Sequence, residues 1–121
     1  MSPVVRFVGI YNADGGLAGE LRYVYAKLSG SASCALCDIT HGTKLRSKEA
    51  WRTCKTALPV PIETLHRNER DQKLTALTEG LLPCVVAFHV DGAARIAVTA
   101  DELDTCNEDV SALEALLQRF L

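Results

Sequence analysis

The densest run of reactive side chains is Cys34-Ala35-Leu36-Cys37-Asp38-Ile39-Thr40-His41. On a helix, Cys34, Cys37 and His41 fall at i, i+3 and i+7 and share a face. Two thiols and an imidazole so placed admit two chemistries. A CxxC at a helix N-terminus sets its first sulfur against unpaired N–H groups and the positive dipole end. That lowers the thiol pKa and raises the thiolate fraction. Cys34 is then the attacking thiol and Cys37 the resolving one. Asp38, beside them, opposes thiolate formation. Alternatively, Cys34, Cys37 and His41 are three ligands of the softness zinc prefers. Cys54 then supplies the fourth, in the spacing C-x2-C-x3-H-x12-C. A purely structural alternative stands beside both: the cysteines are small buried hydrophobes, and His41 simply ends the helix.

A second concentration is basic. Lys44, Arg46, Lys48, Arg52 and Lys55 are opposed only by Glu49. Such a stretch is either a phosphate or RNA footprint or a solvated helix face. Trp51 interrupts it and reads as core, because it shares a helical stripe with Cys54 and Leu58. Asp101, Glu102, Asp104, Glu108, Asp109 and Glu114 balance it near the C-terminus. His66 and His89 fall on expected strands, without a partner nearby in sequence, and read as structural. No P-loop, GxSxG or HExxH is present, which removes NTPase, serine hydrolase and zinc protease readings.

The chain as a whole sets bounds on these sites. Its 121 residues suit one domain. With 48% hydrophobic and 23% charged residues it is neither disordered, collagen-like nor a coiled coil. A net charge of −2 implies no general attraction to DNA or to an anionic membrane. Five cysteines are an odd number, so at least one thiol stays unpaired within a monomer. Met1 to Arg6 does not read as a secretory leader. The apolar run at 83–88 is far shorter than the roughly 20 residues a bilayer span needs. The expected compartment is the cytosol, with mostly reduced cysteines.

The elements that must position these residues can be read from periodicity. Residues 4–11 (VVRFVGIY) are apolar on both faces apart from Arg6, as a buried central strand is. Asn12 to Gly16 form a turn, with Asn12 or Asp14 able to cap the helix that follows. Leu17, Leu21, Val24, Tyr25 and Leu28 make its stripe, and Gly30 stops it. After the small-residue connector at 29–33, a short helix spans 34–41. A second helix spans 47–58, with Ala50, Trp51, Cys54, Ala57 and Leu58 as its stripe and Pro59 as its end. A strand at 60–66 and a helix at 70–79 carrying Leu74 and Leu77 follow. Strands at 84–90 and 94–99 are joined at Asp91-Gly92, a two-residue hairpin signal. Residues 101–106 read as a loop or a short helical turn. Asn107 can cap a last helix that buries Val110, Leu113, Leu116, Leu117 and Phe120 or Leu121. Helical crossovers make the first two strands parallel. The expected fold is thus an α/β sandwich with a mixed four-stranded sheet and helices on both faces.

This order resembles the thioredoxin-like superfamily, and so does Leu82-Pro83-Cys84, which stands just before the hairpin. The resemblance implies a three-layer sandwich at 1–121, with a helical CxxC-containing insertion at about 31–58. It implies a cis proline at Pro83. It also implies that Tyr11, Asn12, Asp14, Pro83 and Cys84 gather at the carboxyl end of the central strand, where open α/β sheets bind ligands. The N–H groups of Gly15, Gly16 and Leu17 could hold an anion there, while turn formation and capping are the simpler roles for these residues. The family's CxxC normally follows the first strand. Here that place holds Asn12-Ala13-Asp14-Gly15-Gly16, and the CxxC comes one helix later. The pair YNADGG and CALCDITHG is also similar to a family of small bacterial proteins, a likeness that implies no function. The expectation drawn from all this is thiol–disulfide chemistry at Cys34 and Cys37 with a thiol- or disulfide-bearing protein partner. Zinc binding and a non-catalytic binding domain are the alternatives. The returning strand at 94–99 is an edge through which a homodimer could form.

Overall fold

The computed structural model describes residues 3–12, 35–40 and 49–121. In chain order its elements are β1 (Val4–Ile10), α1 (Ala35–Thr40), α2 (Glu49–Ala57) and β2 (Ile62–Leu65). A 3-10 turn (Arg67–Glu69), α3 (Gln72–Thr78), β3 (Cys84–His89), β4 (Ala94–Val98), α4 (Ala100–Thr105) and α5 (Val110–Gln118) follow. The expected helix at 17–28, its Asp14-Gly15-Gly16 entry, its Gly30 stop and the connector at 29–33 lie outside the described residues. So do Cys34, His41, Lys44, Arg46 and Lys48.

The strands form one sheet in the order β2-β1-β3-β4. β1 and β2 are parallel, with Phe7 opposite Ile62 and Ile10 opposite Leu65. β3 runs antiparallel to both β1 and β4. This is the mixed α/β sheet that the element order implies. β2 is shorter than its apolar stretch. Pro61 stays outside it and offers its carbonyl to the Phe7 N–H at 2.9 Å. β1 departs from a strand buried on both faces at Val5, which is 40% exposed. The register shifts between Val4 and Arg6, and the extra residue of such a bulge turns away from the sheet.

Period-two alternation sends the strand side chains to two cores. Phe7, Tyr11, Ile62, Val85 and Ala87 pack on one face against Leu36 and Ile39 of α1, Trp51 of α2, Leu103 of α4 and Leu113 and Leu117 of α5. Val8, Ile10, Cys84 and Val86 pack on the other against Leu74 of α3. Helices therefore cover both faces. A fully buried side chain of this size contributes about 1.5–3 kcal/mol, so Trp51, 1% exposed, ties α2 firmly to the first core. Ala50 and Ala57 are exposed, and the buried stripe of α2 narrows to Trp51, Cys54 and Leu58. The reason is a groove of about 580 Å³ left between α2 and α5, lined in part by Ala50 and Ala57.

Local chemistry sets the boundaries. The Asp71 carboxylate accepts from the Leu74 N–H and starts α3. Gly80, at φ +75°, allows the turn after it. The hairpin loop is longer than two residues. The His89 N–H reaches the Ala93 carbonyl and the Gly92 N–H the His89 carbonyl. Gly92 takes the left-handed position, φ +89°, that a three-residue loop requires. Val90, expected in the strand, is 64% exposed in that loop. Residues 100–105 form a true helix, because Thr99 and Glu102 cap each other in a capping box. Asn107 does not cap α5. Asn107 and Glu108 are left-handed (φ 52° and 63°), and they hand the role to Asp109, which accepts from the Ser111 N–H at 3.0 Å. Leu121, one expected end of the buried stripe, is 43% exposed. Among the described residues no helix is long and apolar enough to cross a membrane.

Candidate functional site

α1 carries the second cysteine of the CxxC. Leu36, Cys37, Ile39 and Thr40 are all buried. The helix is seated where β1 has no side chain: a Cβ on Gly9 would lie 3.1 Å from Leu36 Cδ2. Cys37 is disulfide-bonded. Cys54, Cys84 and Cys106 are free thiols, each buried.

Tyr11, the residue after β1, ties this helix to the sheet. Its N–H donates to the Leu65 carbonyl at 2.8 Å, which fixes it beside β2. Its ring is 3% exposed and joins the core that holds Leu36 and Cys37. Its Oη lies 2.9 Å from Thr40 Oγ1. The Thr40 hydroxyl donates its one proton to the Leu36 carbonyl at 3.1 Å. Tyr11 is therefore the donor to Thr40.

On its other side the Tyr11 ring meets His66, centroid to centroid 5.2 Å at 58°. His66 is not without a partner nearby in sequence. Glu69 Oε1 accepts from the His66 backbone N–H at 2.6 Å and lies 2.8 Å from its Nδ1. The backbone bond, followed by the ring bond, holds the Glu69 carboxyl below the usual carboxylate range. The H-x-x-E spacing carried the signal, since it is that of a capping box. His89 is also partnered: Arg95 Nε donates to its Nε2 at 3.1 Å. Arg95 in turn stands over the Phe120 ring at 4.8 Å.

The expected gathering of Tyr11, Asn12, Pro83 and Cys84 divides at the sheet. Ile10 pairs with Cys84, so the carboxyl end of β1 and the start of β3 do adjoin. The Leu82–Pro83 bond is cis and Pro83 is buried. Cys84, however, faces the α3 side with Ile10, while Tyr11 faces α1. The strand pleat, which sends successive residues to opposite faces, keeps Cys84 from the Tyr11–Cys37 group. Burial pushes the Cys84 thiol up to about 11, although Arg70 beside it pulls the other way. Asn12 is half-buried at the same sheet end, and Asp14 lies outside the described residues.

Of the zinc set, Cys37 and Cys54 are described. The Cys37 sulfur is held in a disulfide. Burial first, then the negative charge of Glu114, pushes the Cys54 thiol up to about 11. Among the described residues no three of His, Cys, Asp and Glu are grouped to hold a metal ion. Of the basic stretch, Arg52 and Lys55 are exposed on α2. The neighbouring α2–α5 groove is acidic, lined by Glu49, Glu108, Asp109 and Glu114. A continuous phosphate-binding face is therefore absent from this side of α2 among the described residues.

No family model, curated protein or solved structure matches this chain. The functional reading rests on the site itself.

Proposed function

We propose that this chain is a small cytosolic thioredoxin-like protein, a three-layer sandwich, whose Cys34 and Cys37 interconvert between dithiol and disulfide. The observation that carries the reading is the oxidised state of Cys37 beside three free, buried cysteines. With Cys54, Cys84 and Cys106 free, Cys34 is the partner the reading assigns. The parallel β1/β2 pair, the β3–β4 hairpin and helices on both faces support the sandwich. In this role the sulfurs exchange with a thiol- or disulfide-bearing protein. Cys34, the first cysteine of the motif, attacks. Cys37, packed in the core at 8% exposure, resolves the mixed disulfide.

The test is equilibration of the native protein in glutathione buffers of graded potential, followed by acid quench, alkylation and peptide mapping. Cys34 and Cys37 should change from alkylated to protected together, with one midpoint. The reading is overturned if Cys37 stays alkylatable throughout, or if it stays protected in the native protein under excess dithiothreitol.

A further inference from the structure

Tyr11 does more than fill the core beside α1. Its hydroxyl begins a directed chain of two hydrogen bonds, Tyr11 Oη–H to Thr40 Oγ1 at 2.9 Å and Thr40 Oγ1–H to the Leu36 carbonyl at 3.1 Å. That carbonyl belongs to the peptide group joining Leu36 to Cys37. The chain therefore ends on the backbone unit that carries the resolving sulfur. All three residues are buried: Tyr11 at 3%, Leu36 at 1% and Thr40 at 0% exposure. Hydrogen bonds in such surroundings are electrostatically stronger than in water and polarise one another. The other end of the chain is also anchored. The Tyr11 backbone is held by Leu65, and its ring rests on His66, which Glu69 holds in place. The anchor is the sheet and the 3-10 turn after β2, not the motif helix.

We infer that Tyr11 is a positioning residue for the Cys37 sulfur, and that its bond to Thr40 favours the disulfide over the dithiol. The inference rests on the redox reading above. The hydroxyl chain ties the Leu36–Cys37 peptide to the sheet in the arrangement seen with Cys37 oxidised. Reduction by glutathione breaks the Cys34–Cys37 S–S bond. Two glutathione thiols supply two electrons and two protons and leave as one glutathione disulfide. The hydroxyl chain is formed with Cys37 oxidised, and on this inference it stabilises that state more than the dithiol. Removing it therefore shifts the equilibrium towards dithiol.

The experiment compares the glutathione equilibrium constants of the native protein, Tyr11→Phe, Thr40→Val and Thr40→Ser, with a thermal melt of each. A net hydrogen bond of about 1 kcal/mol corresponds to roughly fivefold in an equilibrium constant. Tyr11→Phe and Thr40→Val should favour the dithiol by about three- to tenfold, and Thr40→Ser, which keeps the hydroxyl, should stay near the native value. If both variants melt lower but keep the native equilibrium constant, or shift towards disulfide, Tyr11 is merely structural and the inference fails alone. If the native protein shows no glutathione-dependent change at Cys37, the redox reading fails and the inference goes with it. Should Tyr11→Phe not fold, the contrast between Thr40→Val and Thr40→Ser decides the matter.

Discussion

The Tyr11 hydroxyl and the Thr40 hydroxyl lie 2.9 Å apart in the core, joining the residue after the central strand to the cysteine-bearing helix. Twenty-eight residues separate them in the chain, most of them outside the described part (positions 12 to 39). The bond is therefore a long-range tie, and its loss should be felt in global stability. Tyr11→Phe should lower the unfolding free energy by about 1 kcal/mol, and Thr40→Val, which removes both hydroxyl bonds, by about 1–2 kcal/mol. Urea denaturation followed by Trp51 fluorescence reads this directly, since Trp51 is in the same core. Wild-type stability in both variants would mean that the tie is not made in solution.

Gly9 is the seat of α1. An alanine Cβ there would stand 3.1 Å from Leu36 Cδ2, and Leu36 is buried with little room to yield. Gly9→Ala should cost about 1–3 kcal/mol through overpacking, and Gly9→Val more. Leu36→Val combined with Gly9→Ala should recover part of the loss in a double-mutant cycle. Additive losses would place the helix elsewhere.

Cys54, Cys84 and Cys106 should be inert in the native state. Each is buried, and burial raises each thiol, with nearby carboxylates adding to the effect at Cys54 and Cys106. A thiol at about 11, as at Cys54 and Cys84, is only about one part in a thousand ionised at pH 8. Alkylation with iodoacetamide at pH 8 and peptide mapping should leave all three unmodified until guanidinium is added. Rapid native labelling of Cys84 would contradict its place between the sheet and α3.

Glu69 gives a pH signature with a definite sign. Its folded pKa lies below the ordinary glutamate value because the His66 backbone and ring hold the carboxylate. Its stabilisation is present above the unfolded pKa and is lost as pH falls through the folded one. Glu69→Gln should therefore be less stable than the native protein at pH 7, and the difference should shrink as pH falls below the usual glutamate range. A difference that grows on acidification would reverse the assignment. The carboxylate is about half exposed, so solvent screening keeps the effect small.

Much of the fold is legible in the sequence. β1, the β3–β4 hairpin, the helix ended by Gly80 and the burial of Trp51 and Cys54 follow from periodicity and stop signals. The misreadings share a cause: each depended on backbone geometry that residue types do not determine. Val5 has a core residue's chemistry, but a bulge turns it out. Asn107 is a good cap by type, yet its left-handed backbone passes the role to Asp109. Ala50 and Ala57 fit the stripe, but their small side chains leave a groove instead of filling it. The link between Tyr11 and Thr40 joins two polar groups distant in sequence, and no local pattern marks such a pair. The His66–Glu69 pair did carry a local pattern, the spacing of a capping box, within a stretch read as a strand ending at His66.

The central claim is that Cys34 and Cys37 bond reversibly to one another. Intact mass of the native protein after mild oxidation, and again after reduction and alkylation, tests it most directly, alongside Cys34→Ser and Cys37→Ser. The account predicts a loss of two hydrogens per chain on oxidation of the native protein, with Cys54, Cys84 and Cys106 recovered as free thiols. It also predicts no such loss within a chain of either variant. The same two-hydrogen loss in Cys34→Ser would place the bridge on a different pair and contradict the account.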